Sequence, residues 1–174
     1  MLFGTSQPSE PWPVDVLTLE YLVSGTVEET NQKWDWSYFQ TYGVDPAVPF
    51  DLRVSSVRST GAYPKPALEG TLAFFVLNSS LVAVIPRGPA ADRVWDQWNK
   101  TPTGVVSEVL AGPYSVTGTV LSVDSRLTTV ILGRALALRD AAITRVDGAG
   151  DATPIQAPRL TLFTHAIHSA LERI

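Results

Sequence analysis

A chain of 174 residues is long enough to bury a sizeable core without a metal or disulfide staple, and 45% apolar against 17% charged residues excludes a disordered polymer. A formal charge of −4 gives no long-range attraction for phosphate backbones or anionic membranes. The absence of cysteine removes disulfides, thiolate metal sites and cysteine nucleophiles together, and fits a cytoplasmic setting.

In chain order, Met1 to Pro13 holds three prolines and little periodicity, which predicts a loose arm anchored at its end by Trp12. Met1 to Gln32 contains no Lys or Arg, so the basic start of a secretory signal is not expected. No apolar run approaches the ~18 residues of a membrane span. From Asp15 to Val27 the chain reads DVLTLEYLVSGTV, and Leu17, Leu19, Tyr21 and Val23 alternate as in a strand, with Gly25 marking a bend or bulge. Trp34, Trp36, Tyr38, Phe39 and Tyr42 follow, an aromatic row in which Trp34, Trp36 and Tyr38 would share one strand face. Turn residues cluster at Ser59 to Pro66, and Thr71 to Ile85 reads as two short strands around Asn78-Ser79-Ser80.

Arg87 to Val106 reads as a linker. Pro89 and Ala90 to Asn99 predict a short helix with Val94, Trp95 and Trp98 on one face, ended by Thr101-Pro102-Thr103-Gly104. Glu108 to Val120 then reads EVLAGPYSVTGTV. Set beside Asp15 to Val27 at an offset of 93, both obey [DE]VLxxxYxV[ST]GTV, so the chain repeats itself. Leu52-Arg53 and Val57 match Leu138-Arg139 and Ile143. Thr71-Leu72, Ser79 and Leu81 match Thr161-Leu162, Ser169 and Leu171 at an offset of 90. Asp147 to Pro158 is a further loop. Thr161 to Ile174 has helical composition in places, yet its repeat partner is rich in strand formers, and two short strands are expected in both.

The side chains with chemistry are few. His165, His168 and Glu172 would hold a metal only on a helix, and strands are expected there, so no metal or other cofactor is assigned. Ser169 or Ser125 with His165 and Asp124 spells a hydrolytic triad without a nucleophile elbow, and no catalytic residue is assigned. Gly148-Ala149-Gly150 lacks the following glycine and helix of a phosphate loop and reads as a hairpin loop. The aromatic row is read as core, as a partner surface or as a ligand platform.

Gly112-Pro113-Tyr114-Ser115-Val116-Thr117-Gly118-Thr119-Val120, followed by Asp124 and Leu127, resembles the first motif of Sm-like proteins. Val76-Leu77-Asn78-Ser79-Ser80-Leu81 to Val84 is similar to the second. The same pattern is similar to bacterial families of unknown function built on this small barrel. The resemblance implies a bent five-stranded barrel. It does not carry over RNA binding: Thr128 stands where RNA-binding members place Asn, Leu77-Asn78 and Ile167-His168 where they place Arg-Gly, and Asn31 and Trp34 replace the Asp and Met of the first motif.

The sequence therefore predicts an all-β protein of two tandem Sm-like small barrels, residues 14–86 and 107–174, with an arm over 1–13 and a helical linker over 87–106. The expected role is a non-enzymatic structural or protein-interaction module. Its expected partner is a protein or a second copy, engaged through Trp34, Trp36, Tyr38 and Tyr42, with no membrane, and nucleic acid is not the expected partner. RNA binding, then carbohydrate or small-ligand binding through the aromatic row, then a metal hydrolase are the alternatives in order.

Overall fold

The computed structural model describes residues 11–27, 50–75, 80–98, 100, 104–121, 135–150 and 153–172. β1 (Trp12–Thr18) and β2 (Tyr21–Val27) form a hairpin closed by Thr18. Its hydroxyl accepts from the Tyr21 amide at 3.0 Å and donates to the Tyr21 carbonyl at 3.2 Å, the local bonding that suits Thr to a turn. β3 (Phe50–Ser59), β4 (Leu72–Phe75) and β5 (Leu81–Pro86) follow. Gly88, at a φ of 79°, turns the chain from β5 into α1 (Gly88–Trp98), and Pro89 sits in the first turn, where a missing N–H costs nothing. β6 (Gly104–Ala111), β7 (Tyr114–Leu121), β8 (Ala135–Arg145) and β9 (Ile155–Phe163) lead through a 3-10 turn (Thr164–Ala166) to β10 (Ile167–Glu172).

The protein is predominantly β: all ten strands lie in one antiparallel sheet in the order β10-β6-β7-β8-β9-β5-β1-β2-β3-β4, with one α-helix among the described residues. The first five strands run β5-β1-β2-β3-β4 and the last five β10-β6-β7-β8-β9, which is the same order. Their registers coincide as well. Val23 opposes Val57 as Val116 opposes Ile143, and Val16 opposes Val84 as Val109 opposes Ala170. The ladder shifts at Gly25 and again at Gly118, and at Leu17/Thr18 as at Leu110/Ala111. Even the turn bonds recur. Leu19 N–H donates to the Ser80 carbonyl at 3.0 Å and Gly112 N–H to that of Ala166 at 2.8 Å, while the Thr60 and Val146 amides reach Glu20 and Pro113 at 2.8 and 2.9 Å.

Residue counterparts follow from these ladders. They stand 93 apart in the first two strands of each set, 86 in the third, 87 in the fourth and 86 in the fifth. This corrects the offset of 90 read from the sequence: Ala73 corresponds to Leu160, and Ala83 to Ser169. Short apolar strands slide past one another in a sequence comparison, and only the hydrogen-bond ladder pins them. The stretch Thr161 to Glu172 is strand around a 3-10 turn, as the repeat argument predicts. β1 begins at Trp12, inside the expected arm, and β6 at Gly104, inside the expected linker.

Burial explains the patterning. All six residues of β5 are buried, because β5 lies between β1 and β9 at the middle of the sheet and is covered on both faces. β8 alternates on one face through Leu136 and Leu138, then on the same face through Ala141 and Ile143. The one-residue slip is absorbed at the bulge opposite Gly118, where Asp140 adopts a φ of 52°. Two apolar clusters result, and each mixes the two strand sets: Leu17, Val82 and Ile85 join Val116, Leu138 and Ile143, while Leu121 and Phe163 join Val16, Leu52 and Trp95. α1 packs on β1 and β5, and the buried Trp95 ring donates its N–H to the Thr161 hydroxyl at 3.3 Å. Among the described residues no helix is long and apolar enough to cross a membrane.

Candidate interaction surface

The two strand sets meet where β5 pairs β9, through only Ala83 opposite Leu162 and Val84 opposite Thr161. So short a ladder is reinforced by side chains from both directions. Tyr114, at the head of β7, is buried with its hydroxyl 2.6 Å from the Thr60 hydroxyl, 2.9 Å from the Thr18 carbonyl and 3.2 Å from that of Leu19. Arg145, at the end of β8, lies with its guanidinium carbon 5.7 Å from the Tyr114 ring centre. Its Nη1 donates to the Leu19 carbonyl at 2.6 Å, and its Nε and Nη2 take Asp147 in a two-pronged grip at 2.8 Å each. Glu20 Oε2 stands 3.5 Å from Nη2, a charge contact without a hydrogen bond. At the other end of the junction Arg87 bonds Asp15 at 2.8 Å and the Gln156 carbonyl at 3.1 Å. Arg159 of β9 grips Asp96 of α1 through two 2.8 Å bonds.

The ionisable groups in this junction are tuned to hold it. Burial raises the Tyr114 phenol above its ordinary value, so it stays a neutral donor. The Arg145 hydrogen bonds lower Asp147, and those of Arg159 lower Asp96. Chemically this is fastening: the donors and acceptors point at one another and at backbone carbonyls.

The two outer edges of the sheet are different. β10 is paired on one side by β6 and β4 on one side by β3, and among the described residues no strand covers their outer sides. An uncovered edge presents a row of unpaired N–H and C=O groups, which is a template for another strand. Exposed apolar side chains accompany both: Leu171 on β10, Leu72 on β4, and Val106 on β6 beside β10. Val146 and Tyr63 are exposed as well, and Tyr63 lines an open recess of about 470 Å³ with Thr18, Leu19, Glu20, Tyr21 and Ser80.

Trp34, Trp36, Tyr38 and Tyr42, the residues singled out for a partner surface, lie outside the described residues, as do Asp124 and Ser125. His165 and His168 are placed on the 3-10 turn and β10. The His165 ring stacks on Phe163 and its Nε2 is 2.8 Å from the Leu81 carbonyl, a structural contact. In the ladder His168 corresponds to Val82, not Asn78 as the offset of 90 gave. Among the described residues no group of three or more His, Asp or Glu is placed to hold a metal ion. Gly148 and Gly150 take φ of 76° and 97° in the loop between β8 and β9, where Gly150 lies against the Thr60 carbonyl. The loop closes on the junction, and the Asp147 carboxylate accepts the Ala149 amide at 3.0 Å.

Sequence reasoning passed over Tyr114, Arg145, Leu171 and Val146. Tyr114 was visible as an identity of the repeat with Tyr21, but nothing in the sequence tells that one of the pair is buried and bonded across a junction. No family model, curated protein or solved structure matches this chain.

Proposed function

We propose that this chain is a non-enzymatic structural and protein-interaction module, an internal duplication of a Sm-like five-stranded unit whose binding surface is its uncovered sheet edges. The observation that carries the reading is the pair of edges, β10 and β4, uncovered among the described residues and each lined by an exposed leucine. The duplication is supported by the recurring strand order, registers and turn bonds. A bacterial cytoplasm is the setting that fits the resemblance and the absence of cysteine. Trp34, Trp36, Tyr38 and Tyr42 extend the partner surface in this reading.

The test uses the full chain. Leu171→Lys adds a charge to an exposed edge position, opposite Glu108, and leaves the fold intact, so an unchanged melting curve with loss of protein association, measured by light scattering and by capture on immobilised chain, supports the module. A net charge of −4 predicts only background retention of oligo-uridine RNA in a mobility shift at physiological salt. Tight saturable binding there puts RNA recognition in place of the module.

A further inference from the structure

We infer that the chain associates head to tail with a second copy of itself, β10 of one copy adding to β4 of the next in the register that β5 and β9 already show. The inference rests on the module reading above and specifies its partner. The ground for it is that the molecule contains one instance of the contact within itself. β5 and β10 hold the same place in their strand sets, and so do β9 and β4. The junction joins β5 to β9, and among the described residues the edges left uncovered are β10 and β4, the counterparts of the two joined strands. Repeating the junction between copies consumes both edges and leaves one of each kind at the ends, a heterologous contact that propagates until it closes.

The pattern of exposure singles out the same places. Ile85 of β5 is 0% exposed inside the junction, and its counterpart Leu171 on β10 is 59% exposed. Thr60, whose hydroxyl meets Tyr114, is 3% exposed; its counterpart Val146 is 56% exposed. Tyr114 is buried, whereas Tyr21, the same residue in the other set, is half-buried and opens onto the recess that Tyr63 lines. Repeating the junction brings Val146 of one copy to Tyr21 of the next, an apolar contact where the chain itself has a hydroxyl pair. Lone surface leucines are ordinary, but large apolar residues at the counterparts of a buried contact mark an interface. Charge agrees in sign: residues 1–86 carry 4 basic and 9 acidic groups and residues 87–174 carry 9 and 8, so unlike halves meet.

The register is fixed by the counterparts. Ala83 opposite Leu162 becomes Ser169 of one copy opposite Phe75 of the next, and Val84 opposite Thr161 becomes Ala170 opposite Phe74. Directly opposed residues in an antiparallel pair have Cα atoms about 4.5–5.5 Å apart, within disulfide range. The natural chain has no cysteine, so the cross-link has no background.

The experiment mixes Ser169→Cys chain with Phe75→Cys chain under mild oxidation and reads the non-reducing gel, with light scattering on the natural chain at tens of micromolar. The expected result is a disulfide-linked dimer in the mixture, none from either variant alone, and a solution mass above one chain. Adding Leu171→Lys, whose charge faces Glu108, to the Ser169→Cys chain should abolish the link with an unchanged melting curve. A one-chain mass at every concentration, with no link, overturns self-association. If Leu171→Lys then still costs the chain a different protein partner, the module reading survives; if it costs none, that reading falls too. A Ser169→Cys link to Ala73→Cys in place of Phe75→Cys overturns the register.

Discussion

The hydroxyls of Tyr114 and Thr60 stand 2.6 Å apart across the junction of the two strand sets, buried, though 54 positions apart in the chain. Tyr114 also donates toward the Thr18 and Leu19 carbonyls, so a single phenol ties β7 to the β1–β2 turn and to the end of β3. The Arg145 guanidinium lies over the same ring and completes the tie through the Leu19 carbonyl. This polar clasp does what the two-residue β5–β9 ladder is too short to do alone.

Tyr114→Phe removes the clasp without removing the ring. Leaving the buried Thr60 hydroxyl and Thr18 carbonyl short of a partner should cost about 1–3 kcal/mol, read from urea unfolding. Thr60→Val in the same background should add little, because the two share one bond. The pH profile gives a second handle. The Tyr114 phenol is raised above 10.0 by burial, so its contribution is complete below pH ~10 and is lost as pH climbs from there through the folded value. Tyr114→Phe should flatten that alkaline limb, and an unchanged limb would show that the phenol is not buried in solution.

Gly25 and Gly118 hold the same bulge but not with the same tolerance. A Cβ on Gly25 would fall against the Arg53 carbonyl oxygen, whereas one on Gly118 would lie 3.1 Å from the Arg139 carbonyl oxygen. Neither glycine is needed for a positive φ; both are needed for close approach of β3 or β8. Alanine at Gly118 should cost at the low end of ~1–3 kcal/mol and alanine at Gly25 at or above the high end. Thermal melts of the two variants rank them, and a reversed order would mean that the Gly25 bulge relaxes.

How much of this was legible follows from the kind of signal each part leaves. The two bulges and the strands on either side of Thr164 were legible because glycine, β-branched residues and a gap-free repeat act locally. The turn at Leu19-Glu20 was not, since Leu17, Leu19, Tyr21 and Val23 alternate as one strand and the structure breaks them into β1 and β2. Trp95 was legible as a helix-face residue, and it is buried against Val16 and Leu52. The offset of 87 in the fourth strand was not, since Leu72 beside Thr71 and Leu162 beside Thr161 spell the same pair at 90. Nor was the joining of both sets into one sheet. That depends on Arg145 reaching a carbonyl 126 residues earlier, and a guanidinium at a strand end looks the same whether it meets solvent or Leu19.

Asp140 takes a φ of 52° inside β8, where the bulge forces a left-handed residue that is not glycine. Asp tolerates this region better than a branched side chain does. Asp140→Gly should therefore fold at least as stably as the natural chain, while Asp140→Val should lose about 1–2 kcal/mol. Equal stability of all three, measured by chemical unfolding, would rule out strain at this bulge.

The acid limb of stability should report the grip of β9 on the helix. Arg159 donates two 2.8 Å bonds to Asp96 and stands 3.4 Å from Asp92. Those bonds hold the Asp96 carboxyl below its ordinary 3.8. A carboxyl that is depressed in the folded state binds fewer protons there than in the unfolded chain, so stability rises with pH across that interval. The contribution is complete above pH ~4, the unfolded value, and disappears as pH falls through the folded one. Both carboxyls are partly open to solvent, so the effect is small and weakens with salt. Arg159→Gln should leave the fold in place, lower stability at neutral pH, and shrink the loss between pH ~4 and pH ~2 relative to the natural chain. Urea midpoints of the two proteins at pH 7, 4 and 2 make the comparison. Parallel curves, equal in slope, would show that the helix is held by the apolar packing of Ala90, Ala91 and Trp95 and that the ion pair contributes nothing.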